Sequence, residues 1–117
     1  PIANVCVWAL AADTPADAER LFAPRAHWKL MREKGDLRAI DGPKTIADAT
    51  YTKADMERLN QLRQIAIVGD AGTVSAKLRN MAIAYEVNEL VVLTWTYEQA
   101  DRRRSYELLA DAFNLTG

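Results

Sequence analysis

Few side chains in this sequence could do chemistry, and most of them stand alone. There is one histidine, His27, and one cysteine, Cys6. A metal centre of imidazole and thiolate ligands needs several such groups close together, and neither residue has a second His or Cys nearby, so no metal ligand is assigned. His27 sits between Ala26 and Trp28 in a helical pattern. A general base needs an orienting partner. None is legible by spacing, so His27 is expected at the surface or its boundary. Cys6 lies in an apolar run and is expected to be buried and inert. Asp13 stands before a helix signal and reads as a helix-entry residue rather than a catalytic acid.

The densest group is Trp95, Thr96 and Tyr97, at the end of an apolar strand pattern. Aromatic faces there could line a pocket for a planar ligand. They could equally be core packing and the first residue of a helix. Arg102, Arg103 and Arg104 form a basic run early in the helix that follows, where cations oppose the helix dipole. Such a run is a solvated face or a holder for an anion or carboxylate. "GDAG" (69–72) is too short for a glycine-rich phosphate loop and reads as a helix cap.

The elements that must position these residues alternate. "NVCVWALA" (4–11) is apolar on both faces, as in a parallel strand covered on both sides. Thr14 as N-cap, Pro15 at the first helical position and Asp17 three residues after the cap open a helix expected to end near Gly35. Residues 36–54 carry Gly-Pro and little periodicity, and read as a long connection or insertion with at most a short strand or turn. A helix is expected over Lys53–Arg63 and a strand over 64–69. A helix capped by Asp70 follows, with Val74, Leu78, Met81, Ala82 and Tyr85 as its apolar stripe. Asn88 marks a turn before the strand "ELVVLTW". Thr96 and Gln99 have capping-box spacing for the last helix, whose inward residues are Ala100, Ser105, Leu108, Leu109, Ala112 and Phe113.

The chain is therefore expected to be a single α/β unit over 1–117 with parallel strands joined by helical crossovers. Its 117 residues and net charge of −1 suit one small domain and give no electrostatic case for nucleic acid or an anionic membrane. No apolar run approaches the roughly 20 residues of a membrane span. The single cysteine fits a reducing, cytoplasmic setting. The start at Pro1 reads as a processed or excised end, with removal of an initiating methionine as the equal alternative. Three strands apolar on both faces, with neither outermost strand blunted by Lys or Pro, point to a piece of a larger α/β unit or to a homo-oligomer.

"AADTPADAERLF", "IVGDAGTVSAKL" and "NELVVLTWTYEQADRRRSYELLADAF", in that order, resemble the C-terminal portion of the luciferase-like flavin-dependent monooxygenases. Arg102, Ser105, Leu108, Leu109 and Ala110 carry the last motif. Two positions depart from the pattern: Ala71 replaces a proline after the cap, and Glu98 replaces an aspartate after the closing strand. The resemblance implies a TIM (β/α)8 barrel of which this chain supplies the last three βα units. It also implies FMN as cofactor and oxidation of a small organic substrate such as an aldehyde. Most flavin-holding residues of that family lie in strands this chain lacks, so no catalytic residue is carried over, and the chain alone is expected to be inactive. Barrel sites open at C-terminal strand ends, which leaves Asp13, Gly69 and the Trp95-Thr96-Tyr97 group as the residues placed to matter. The other reading is a non-catalytic α/β fragment that folds by self-association or with a separate N-terminal chain.

Overall fold

A computed structural model describes residues 4–37, 39–87 and 89–114. The elements are β1 (Asn4–Ala12), α1 (Pro15–Glu33), α2 (Pro43–Asp48), α3 (Lys53–Ile65), β2 (Ile67–Asp70), α4 (Ala71–Ala84), β3 (Glu89–Leu93) and α5 (Gln99–Ala112). The expected turn at Asn88 lies outside the described residues.

Local chemistry explains most of these boundaries. The Thr14 hydroxyl accepts from the Asp17 N–H, with Pro15 where a missing donor costs nothing. Pro24 lies within α1, yet the helix continues on a buried stripe of Ala18, Phe22, Ala26 and Leu30. It ends as Gly35 takes φ +89°, open to glycine without strain. Thr52 and Asp55 cap α3 reciprocally, and Asp70 caps α4 by accepting from the Thr73 N–H.

Three expectations about boundaries are corrected. The connection 36–54 holds a helix, α2, entered through Gly42-Pro43. Gln64 and Ile65 finish α3, so β2 begins only at Ile67. No side chain caps α5: its N-cap is Glu98, and the Thr96 hydroxyl donates to the Glu98 carbonyl instead of closing a capping box with Gln99.

The three strands form one parallel sheet in the order β2-β1-β3. β1 pairs with β3 over Asn4–Trp8 and with β2 over Ala9–Ala12. Three successive barrel units would give β1-β2-β3, so the strand order differs from that expectation, and the first strand is the centre of the sheet rather than an edge. The crossover from β1 to β2 and the one from β2 back past β1 to β3 run in opposite directions, and right-handedness then puts their helices on opposite faces. That is the arrangement seen. Leu10 and Ala12 pack on α1, while Ala9 and Ala11 pack with Val74 and Leu78 of α4 and Leu109 of α5. Leu10, Val68, Val74 and Leu78 are almost fully buried, each stabilising by about 1.5–3 kcal/mol.

Coverage on both faces holds for the C-terminal half of β1 but not for the sheet as a whole. Cys6 is exposed, contrary to expectation. It is in register with Val91 of β3, and Val91 and Leu93 are 41% and 44% exposed, α1 packing mainly over β1 and β2. Among the described residues no helix is long and apolar enough to cross a membrane, and no group of three or more His, Cys, Asp and Glu could hold a metal.

Candidate functional site

Beyond Leu93 the β1–β3 ladder is continued by side chains. The Thr94 hydroxyl donates to the Ala9 carbonyl at 2.6 Å, and the Ala11 N–H donates to the Ser105 hydroxyl at 2.9 Å. The Thr94 N–H donates to the Tyr106 hydroxyl at 3.1 Å, and Arg102 Nε donates to the Thr94 carbonyl at 2.8 Å. These bonds satisfy backbone groups that the strand end would orphan. They also pin the segment after β3 to α5. The sheet order changes direction between β1 and β3, and open α/β sheets form ligand crevices at the carboxyl ends of such a pair.

A cavity of about 520 Å³ opens there, lined by Trp28, Trp95, Thr96, Tyr97 and Arg102, with Ala39 and Ile40 on one wall. That volume is in the range of small-molecule sites. All three residues singled out after the strand share this wall. Trp95 and Tyr97 are each 48% exposed, so neither is core. Trp95 meets Trp28 edge to face, ring centroids 5.5 Å apart. Gly42 lets the 39–42 wall close on Tyr97, since a Cβ there would lie 2.9 Å from the Tyr97 ring.

Asp13 is paired with Arg104, Oδ1 to Nη2 at 2.7 Å, both side chains exposed. The hydrogen bond from Arg104 holds the Asp13 carboxyl below the usual carboxylate range. The basic run is thus divided in role. Arg104 takes a carboxylate, Arg102 braces the cavity floor, and Arg103 is exposed. Gly69 lies within β2, and Asp70 caps α4 as "GDAG" suggested.

His27 overturns its expectation. It is buried, 5% exposed, with Nδ1 2.7 Å from the Tyr51 hydroxyl and Nε2 3.4 Å from Asp41 Oδ2. Each ring nitrogen therefore has a polar neighbour. Burial pushes the Tyr51 phenol above its ordinary value, and the charges of Asp55 and Asp41 add to this. Both partners come from the stretch 36–54, whose lack of periodicity hid them. Asp41 adjoins the cavity-wall residues Ala39 and Ile40, so the histidine anchors that wall to α1.

No family model matches the chain. A curated protein of Escherichia coli K12 named luciferase-like monooxygenase is 25% identical over 95% of this chain and 33% of its own length. The chain is similar to luciferase-like monooxygenases. The Bacillus subtilis protein YwcH is 35% identical over 97% of the chain. The crystal structure of apo-MsnO8 superposes with a TM-score of 0.82 at 30% identity, covering 99% of this chain and 36% of that one. The chain spans about a third of the length of the curated relatives it matches, the luciferase-like protein included.

Proposed function

We propose that this chain is the C-terminal part of a luciferase-like, FMN-dependent monooxygenase acting on a small organic substrate such as an aldehyde. One observation supports this most: Trp95, Thr96 and Tyr97 share one cavity at a C-terminal strand end, in a segment similar to luciferase-like monooxygenases. In the proposed barrel, β1 and β3 are neighbouring wall strands, and β2 is a short strand added beside the carboxyl end of β1. This replaces three successive units with two and accounts for the β2-β1-β3 order.

The cavity suits one face of a planar ring system. Trp28, Trp95 and Tyr97 supply aromatic surface, and Ala39 and Ile40 form an apolar wall beside them. Among the described residues its one cation is Arg102, which already donates to the Thr94 carbonyl. A flavin, when bound, supplies the activation of oxygen. The residues of this chain would bind and orient a ring, and the phosphate would be held elsewhere in the complete protein. The test is aldehyde oxidation by the complete gene product with reduced FMN and oxygen. The segment alone is expected to show no turnover. A complete product without FMN-dependent oxygen consumption would defeat the reading.

A second reading rests on the uncovered sheet face. Cys6, Val91 and Leu93 are exposed together, so the segment by itself is a fragment that associates with copies of itself.

A further inference from the structure

Arg25 of α1 is surrounded by all three tryptophans of the sequence. Its Cζ lies 5.0, 5.2 and 5.1 Å from the ring centroids of Trp8, Trp28 and Trp95. Stacking satisfies the faces of a guanidinium but not its five in-plane N–H donors. Among the described residues no carboxylate pairs with Arg25. Burial, and then the charge of Arg32, lowers its proton affinity below the ordinary value.

Trp8 repeats the deficit. Its Nε1 is buried and has no hydrogen-bond partner. Trp8, Arg25 and Lys29 line one cavity of about 280 Å³ that has no acidic residue in its walls among the described residues. Glu33, which feels the charge of Lys29, is already held by two bonds from Arg58. Arg25 and Lys29 therefore line a space with no carboxylate among the described residues, and the unpaired Trp8 N–H belongs to one of its wall residues. The remaining walls, Phe22, Leu62 and Met81 among them, are apolar.

We propose that this cavity binds an oxyanion, a carboxylate or a phosphate, carried on a small apolar body, with Arg25, Lys29 and the Trp8 N–H as its donors. The site is distinct from the Trp95–Tyr97 cavity, and its existence does not depend on the flavin reading.

Because every tryptophan contacts Arg25, intrinsic emission reports on this site. The 117-residue chain is titrated with inorganic phosphate, acetate and hexanoate at an ionic strength held constant with chloride. A saturable emission change with phosphate or hexanoate is expected. Hexanoate binding more tightly than acetate would assign the head group to a carboxylate with an apolar body, and saturation by phosphate alone would assign it to a phosphate. Arg25→Gln should weaken binding about tenfold or more, the loss of a charge-assisted bond. Trp8→Phe, which keeps the ring and removes the N–H, should weaken it about threefold or more. If Arg25→Gln loses its far-ultraviolet circular dichroism, Lys29→Gln takes its place with the same expectation. A linear response to all three anions would overturn the proposal. So would binding that is unchanged in these variants, or that is abolished by Arg102→Gln instead.

Discussion

The Thr94 hydroxyl reaches back to the Ala9 carbonyl at 2.6 Å and carries the sheet one step beyond the last strand residue. Both residues are fully buried, so no water can replace the bond. Thr94→Val keeps the side-chain shape and orphans that carbonyl. It should lower unfolding free energy by about 1–3 kcal/mol in chemical denaturation. Thr94→Ser, which retains the hydroxyl, should lose less. Equal midpoints for the Thr94→Val variant and wild type would show that the bond contributes nothing.

Asp55 gives the acid limb of stability. The bond from Lys34 and then the Thr52 N–H hold its carboxyl below the ordinary value of about 3.9. A carboxyl lowered on folding stabilises fully above its unfolded value, and the contribution is lost as pH falls through the folded one. Denaturation midpoints should therefore drop as pH falls below about 5, and Asp55→Asn should flatten that drop. An acid limb of equal depth in the variant would remove Asp55 from the explanation.

Tyr51 marks the alkaline side. Its phenol is raised, so the neutral form is favoured on folding. Its contribution is complete below about pH 10, the unfolded value, and disappears as pH rises through the folded one. Tyr51 should ionise late in an absorbance titration, and Tyr51→Phe should delete that late step. An absorbance titration unchanged by Tyr51→Phe at its alkaline end would contradict the part-buried His27–Tyr51 contact.

The open sheet face predicts association. Val91, Leu93 and Trp95 are all at least two-fifths exposed, at 41%, 44% and 48%. Leaving such side chains in water forfeits part of the about 1.5–3 kcal/mol each could contribute. Light scattering of the segment at micromolar concentration should give a mass above that of the 13.1 kDa chain. A monomeric mass with cooperative unfolding would show that the face tolerates water.

The parts legible in the sequence were those governed by neighbours along the chain. Thr14 with Pro15, Asp70 before α4 and the two-sided apolar pattern of β1 all act within a few residues. So does the placement of Trp95, Thr96 and Tyr97 just after a strand. What stayed hidden depends on distant pairing. The central place of β1 is decided by the crossover from β2 passing back to its far side, and hydropathy is the same either way. His27 looked solitary because Asp41 and Tyr51 come from a stretch with no periodicity. Cys6 looked buried because an apolar strand does not say which strands the helix above it covers. Thr96 had capping spacing, but its hydroxyl found a nearer carbonyl at Glu98.

The central claim is that the Trp95–Tyr97 cavity faces a flavin in the complete protein. Quenching of FMN fluorescence by the complete gene product tests it most directly, with Trp95→Ala beside wild type. Trp95 is half exposed, so its removal should leave the fold standing. The account predicts saturable quenching by wild type and an affinity about two- to tenfold weaker in the variant, the worth of one aromatic contact. Free FMN left unquenched by wild type, or equal affinity in the two proteins, would contradict it.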